Sequence, residues 1–156
     1  MVRRDDQGKY FWELRSCKYW HEFEQAKIIY PDIAQRSEFT YDRHGFYLIN
    51  TLYLMPCEKV WLVGLLNSKA LSWLYTKISS QIRGNFVRYI AQYVSQLPIV
   101  AGSQTNQIER MVDQILATKE KNPNADVTVL EREIDQMVYQ LYGLTEEEVK
   151  IVEGKS

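Results

Sequence analysis

The feature that most constrains the fold is a change in apolar spacing just past residue 56. Before it, apolar residues come in short β-branched and aromatic runs, Lys27–Ile33 (KIIYPDI) and Phe46–Met55 (FYLINTLYLM). After it, they recur at three- and four-residue steps: Val60, Val63 and Leu66 with Leu62 and Leu65, then Leu71, Leu74, Tyr75 and Ile78. The first pattern suits strands and the second suits helix faces. The predicted fold is therefore α+β: a mixed, curved sheet with packed helices, followed by a C-terminal helical hairpin.

Local chemistry refines this outline. Pro31 removes a backbone donor, so Lys27–Ile33 is expected at a sheet edge or with its proline at a strand end. Asp42-Arg43-His44-Gly45 has turn composition and predicts a hairpin joining Phe39–Tyr41 to Phe46–Met55. Asn67-Ser68 ends one helix, and Ser68 is placed to cap the next. Residues 79–85 form a polar loop. Phe86–Leu97 fits a strand or a short helix equally, and Pro98 stops it. Gly102–Gln107 is a polar joint, which divides the chain into a mixed part (1–101) and a helical part (102–156). Ile108, Met111, Val112, Ile115 and Leu116 make one amphipathic stripe, and Leu130, Ile134, Met137, Val138, Leu141 and Tyr142 make another. Lys119–Asp126 is the turn between them. Thr128 with Glu131 and Thr145 with Glu148 have capping-box spacing, and Gly143 is placed for a left-handed helix end.

Charge is unevenly spread. The net charge is -1, but residues 1–100 carry 13 Lys/Arg against 9 Asp/Glu, and residues 101–156 carry 6 against 11. The basic excess lies on the first part, so a polyanionic partner is expected there and not at the acidic end. Cys17 and Cys57 lack CxxC spacing and are expected to be reduced, buried thiols of an intracellular protein. His21 and His44 have no ligand-spaced neighbours, so no metal site is expected. No apolar run is long enough to span a bilayer and the first residues lack a signal-peptide pattern, so the expected location is cytoplasmic.

The polar loop holds the strongest candidate contacts. Ser80, Gln81, Arg83, Gly84, Asn85 and Arg88 put guanidinium, amide and hydroxyl groups around a glycine, which lets a backbone approach a ligand closely. Arginine forks onto guanine or clamps phosphate, and Asn or Gln pairs with adenine. The plainer alternative is a solvated loop whose arginines pair with nearby carboxylates. Arg36, in the connection Ile33–Glu38, is a second candidate, weighed against an ordinary surface arginine. Lys18 is a third, beside Arg15, Tyr19 and Trp20. Trp12, Tyr19, Trp20 and Phe23 recur at helical spacing and are expected in the core, as are Trp61, Trp73 and Tyr75.

The ordered blocks along the chain resemble a known family. Trp12–Cys17 (WELRSC) with Tyr19-Trp20 and Phe23-Glu24 comes first. Lys27–Ile33 with Arg36 and Phe39, then Phe46-Tyr47, Asn50-Thr51 and Tyr53, and Leu65–Lys69 (LLNSK) follow. Ser79–Gly84, Arg88, Tyr93 and Gln96–Ile99 (QLPI) close the series. Together they resemble the TaqI-like C-terminal specificity domain of type IIG restriction-modification enzymes and adenine-specific DNA methyltransferases. The tail, with Tyr142–Thr145 (YGLT), is similar to the end of those enzymes. The resemblance implies a target-recognition module that reads a short sequence in double-stranded DNA. It also implies a methyltransferase domain, and in many members a nuclease, elsewhere in the parent protein. S-adenosylmethionine would be that methyltransferase domain's cofactor, acting on a flipped adenine.

No Gly-rich cofactor loop and no Asn-Pro-Pro-Tyr motif occurs, so this chain is not expected to be an enzyme by itself. Pro31-Asp32 and Glu148-Val149-Lys150 resemble halves of a metal-dependent nuclease motif, but they are more than a hundred residues apart and are read as coincidence. A different class of function stays open: a protein-docking module that uses the helical hairpin, marked by an apolar patch on its outer face.

Overall fold

The structure, a computed structural model, describes residues 9–10, 17–82 and 84–155. Its class is α+β, as the change in spacing predicts. The strands form two three-stranded sheets in which every pairing is antiparallel, instead of one mixed sheet.

The first sheet is built on β1 (Lys27–Pro31), with β3 (Thr40–Asp42) on one side and β4 (Leu52–Pro56) on the other. Pro31 is the last residue of β1, as expected of a strand-end proline. The strand itself is central and not at an edge. That place overturns the hairpin expected about Asp42–Gly45, because β3 and β4 each pair with β1 and not with each other. The reason lies in Asp42. Its carboxylate accepts the backbone N–H of His44 at 2.7 Å and of Phe46 at 2.8 Å, so the chain turns away after β3. Residues 43–51 form a loop, and the apolar run becomes a strand only at Leu52.

The second sheet has β6 (Phe86–Arg88) at its centre, between β2 (Ile33–Ala34) and β5 (Gln81–Ile82). Residues 79–85 are thus partly strand, because β5 pairs with β6 across the turn at Gly84-Asn85. Both residues of that turn have positive φ, 85° and 62°. Glycine has no Cβ to clash there, and asparagine tolerates the left-handed region better than most residues. The ambiguous segment after it takes both forms in turn: β6, then the short helix α3 (Ala91–Val94).

Asp32 joins the two sheets. Its N–H donates to Thr51 at 2.9 Å, beside the first sheet, and its carbonyl accepts from Tyr89 at 2.7 Å, beside the second.

Helices α1 (Trp61–Asn67) and α2 (Lys69–Ile78) meet at Ser68, whose hydroxyl accepts from the N–H of Leu71. The expected cap is therefore present. The tail consists of α4 (Thr105–Lys121), α5 (Thr128–Tyr142) and α6 (Glu146–Val152). Gly143 ends α5 with φ 65°, and Thr145 with Glu148 forms the full capping box of α6. The other capping box does not form. Thr128 is already the first residue of α5, and Asp126 accepts both its N–H and its hydroxyl.

One hydrophobic core runs through strands and tail, from Ile28, Tyr30 and Phe39 through Leu65, Leu71 and Tyr75 to Ile108, Val138 and Tyr139. Helix α4 packs on α1, and α5 packs on α1, α2 and α4. A Cβ at Gly64 would stand 2.7 Å from Ile108 Cγ2, so the glycine permits the close approach of α1 and α4. The N-terminus of α2 is closed from outside: Asp135 of α5 accepts the N–H of Lys69 at 2.8 Å. Burial pushes the Asp135 carboxyl pKa upward, outweighing that bond and the Lys69 charge.

Three expectations of burial fail. Cys17 is exposed, and Cys57 is partly so. Tyr19 and Trp20 are about half exposed, because their segment is a short 3-10 turn (Trp20–Phe23) lying on the outside. Its ring contact is with the loop before β4, through Phe23 stacked on Tyr47 at 5.1 Å. Tyr75 is buried as expected, whereas Trp61 and Trp73 are only partly covered.

Candidate nucleic-acid interface

Two separate stretches of chain meet at one end of the second sheet. β2 leads into the connection that carries Gln35 and Arg36. β6 is entered from the turn at Gly84-Asn85. The register sets Ala34 opposite Val87 and Ile33 opposite Arg88, so β2 runs out toward that turn. The Gln35 side-chain amide then donates to the Gly84 carbonyl at 3.4 Å. Arg36 follows directly, with its side chain 83% exposed and 3.5 Å from Glu38.

The turn is a platform of polar groups. Ser80, Gln81, Gly84 and Asn85 are all exposed. Ser80 shares a hydrogen bond of 2.8 Å with the Tyr93 hydroxyl, which fixes it against α3. Gln81 is held by its strand, opposite Val87. Asn85 keeps its amide exposed at the tip. Arg83 lies outside the described residues, as do Arg15 and Trp12.

The two faces of this sheet differ. Val87 and Ala34 point inward and are buried. Ile82, Phe86, Ile33 and Arg88 occupy the other face, because cross-strand partners share a face and strand residues alternate. All four are exposed. Arg88 is not free. Its Nε and Nη2 each lie 3.3 Å from Asp32, one on each carboxylate oxygen. That pairing raises the pKa of the guanidinium further. The plainer alternative, an arginine paired to a local carboxylate, is thus realised at Arg88, and its partner Asp32 stands out in the sequence only within the coincidental Pro31-Asp32 motif.

Behind the exposed face, aromatic rings fix the geometry. Tyr75 and Tyr89 stack with centroids 4.4 Å apart and planes 2° from parallel. The Tyr75 hydroxyl donates to the Arg88 carbonyl at 2.6 Å, and the Tyr89 hydroxyl lies 3.3 Å from Ser37, next to Arg36. Burial pushes both phenol pKa values up, so both rings stay neutral. One stack therefore supports both Arg36's connection and β6.

Lys18 is not part of this arrangement. It is exposed in the turn before Trp20–Phe23, the segment that packs toward Tyr47. A cleft of about 590 Å³ adjoins Arg36, between residues 36–40, α1, the start of α2 and the α4–α5 pair. Its charged lining is mixed: Arg36, Lys69, Lys119 and Arg132 face Glu38, Glu131 and Asp135. Among the described residues no three of His, Cys, Asp and Glu are grouped as a metal site. No described helix is long and apolar enough to cross a membrane.

Two comparisons bear on this arrangement. The family model of the TaqI-like C-terminal specificity domain matches residues 6–99. The type II methyltransferase M.BstVI of Geobacillus stearothermophilus is 25% identical over 138 residues, 82% of this chain and 22% of that protein. The chain thus spans about a fifth of the curated relative's length. The match to the family model takes in both sheets, α1, α2 and the exposed turn, and the chain belongs to the TaqI-like C-terminal specificity domain family.

Proposed function

We propose that this chain recognises a specific sequence in double-stranded DNA and directs a methyltransferase domain, with or without a nuclease, to that site. The observation that carries this reading is the Gln35–Gly84 bond, which draws two polar stretches far apart in sequence to one exposed end of a small sheet. Membership of a specificity-domain family and the methyltransferase relative support it. The major groove is wide enough to admit a two-stranded β-ribbon, and β5–β6 with its tip at Gly84-Asn85 has that form. Asn85 or Gln81 would pair with adenine. Arg83 and Arg36 would take guanine or phosphate, and Ser80 would contact either base or backbone. Lys18, which makes no described contact with this arrangement, would serve only as a backbone contact.

The chemistry would belong to the methyltransferase domain, whose cofactor would be S-adenosylmethionine. This chain would supply recognition alone. The docking reading needs an apolar outer face on the tail. The exposed large apolar residues described there are Val129 on α5 and Ile151 on α6, which do not argue for one.

The test is a binding selection on randomised duplex DNA, with the chain alone and joined to its methyltransferase domain. It is repeated with Asn85→Ala and with Arg36→Ala/Arg83→Ala. An enriched short motif that the variants lose supports the proposal. Binding without a motif reduces the contact to nonspecific electrostatics, recognisable by its steep salt dependence. No binding in either form turns the reading toward docking.

A further inference from the structure

Resting on the DNA-recognition reading, we propose that Asp32 and Arg88 form a preset reader of one guanine, in which Asp32 is the positioning residue and Arg88 the contact. Asp32 occupies only the side of the guanidinium formed by Nε and Nη2. The end of the fork, made by Nη1 and the second N–H of Nη2, has no hydrogen-bond partner among the described residues. Those two donors are parallel and suit the O6 and N7 acceptors of guanine in the major groove.

Three observations favour guanine over phosphate. First, the pair is neutral overall, and a phosphate brought to the fork would stand near the Asp32 carboxylate. The guanine edge offers acceptors without a net charge, so it does not incur that repulsion. Second, the neighbours of Arg88 on the exposed face of the sheet are apolar. Ile33 faces Arg88 across the register and Phe86 lies two residues along the same face, both exposed. A contact to the DNA backbone is more often ringed by polar and cationic groups, whereas apolar side chains suit thymine methyls and base edges.

Third, the buttress is rigid. Asp32 is held at the joint of the two sheets by both its backbone N–H and its carbonyl, and the Arg88 carbonyl is held by Tyr75. Fixing an arginine in advance lowers the entropy lost on binding and penalises a misplaced acceptor. Arg88 lies three residues from Asn85 along an extended chain, roughly 10 Å. That distance is close to the rise of three base pairs, so the two would read separate positions of one site.

The experiment is the same selection on randomised duplex, run with the full chain joined to its methyltransferase domain. It compares the parent with Arg88→Lys, Arg88→Ala, Asp32→Asn and the double variant Arg88→Ala/Asp32→Ala. Thermal unfolding of each shows that the fold is retained. The expected result is that Arg88→Lys and Arg88→Ala both lose about tenfold preference for guanine at one position only. Asp32→Asn weakens the same position and no other. The double variant is no worse there than Arg88→Ala, because the carboxylate acts through the arginine. A uniform loss across all sequences, largely restored by Arg88→Lys, would make Arg88 a phosphate contact and overturn the proposal. So would an unchanged motif after either substitution, which leaves the pair structural and DNA recognition intact. Absence of any motif with the parent protein removes the underlying recognition reading as well.

Discussion

Strand β1 has a cation–carboxylate pair near each end, and the two pairs differ in everything but formal charge. At the start, Lys27 and Asp42 are 0% and 2% exposed and in direct contact. Lys27 Nζ also donates to the Phe23 carbonyl at 2.5 Å, and Asp42 accepts two backbone N–H groups. Just past the other end, Arg88 is 53% exposed and Asp32 22%, with longer contacts and an unused half of the guanidinium. The first pair is almost wholly buried among protein partners and presents no exposed donor to a ligand. The second keeps donors in reserve. In a small domain, the degree of satisfaction separates a structural ion pair from a candidate site more sharply than residue type does.

The comparison is broken most severely at the buried pair. Lys27→Met leaves the Asp42 carboxylate in the core without its cation. An unfolding free-energy loss of about 3–5 kcal/mol is expected, measured by denaturant titration. The loop bearing Phe46 and Tyr47 and the turn containing Phe23 should loosen first, since Asp42 anchors the loop and Lys27 holds the turn. A loss no larger than that of a surface substitution would mean that the pair is wetter than its burial states.

Acid sharpens the same contrast. Burial pushes the Asp42 carboxyl pKa up, but its bonds from Lys27, His44 and Phe46 outweigh this and leave it below the usual carboxylate range. The folded state therefore binds this proton more weakly than the unfolded chain does. Stability from Asp42 is fully present above about pH 4 and is lost as pH falls through the depressed folded value. Asp135 has the opposite sign. Its pKa is raised, so its contribution is present at low pH and lost as pH rises through that raised value. Unfolding midpoints from about pH 2 to 7 should show Asp42→Asn flattening the acid limb of the profile. Asp135→Asn should remove the decline just above the ordinary carboxylate range, and retain an acceptor for the Lys69 N–H.

These carboxylates mark the limit of what the residues reveal without coordinates. Ser68, Gly143 and the Thr145–Glu148 box are legible because caps are local, set by spacings of three residues or fewer. The two apolar stripes of α4 and α5 are legible for the same reason. Strand order is not local. Asp42–Gly45 has good turn chemistry, yet the strands flanking it are parted by β1, whose apolar residues complete the sheet from elsewhere in the chain. Thr128–Glu131 has the right spacing and loses to Asp126, which reaches the same N–H from two residues earlier. At the candidate interface, the polar loop and Arg36 stand out by composition. Their meeting through Gln35 does not, because a glutamine bonded to a carbonyl 49 residues away leaves no pattern. Asp32 was hidden by a misleading neighbour, since Pro31-Asp32 drew attention as half of a nuclease-like motif. Its partner is Arg88, and its setting is the joint between sheets.

A smaller effect on stability is expected at the tip of the hairpin. Asn85 has φ 62°, which glycine adopts without strain. Asn85→Gly should hold the unfolding midpoint at or slightly above the parent's while abolishing any preference that depends on the Asn85 amide. A substantial loss of stability would show that this amide holds the turn together and is not free to reach a base.

The smallest effect on stability belongs to the exposed pair, and there the comparison is decided. Partly exposed ion pairs contribute little to folding, because water and salt screen them and two long side chains must be ordered. Asp32→Asn also leaves the two backbone bonds of residue 32 intact. The unfolding midpoint should therefore stay close to the parent's at both low and high salt, in contrast to Lys27→Met. The Asp32 carboxylate has then no large folding role that would account for it, and its orientation of the Arg88 fork becomes the effect to measure. If Asp32→Asn instead destabilises as strongly as Lys27→Met, the joint between the sheets depends on the carboxylate itself. The two ends of β1 would then be structural alike, and the recognition surface would shrink to the turn at Gly84-Asn85 and the connection bearing Arg36.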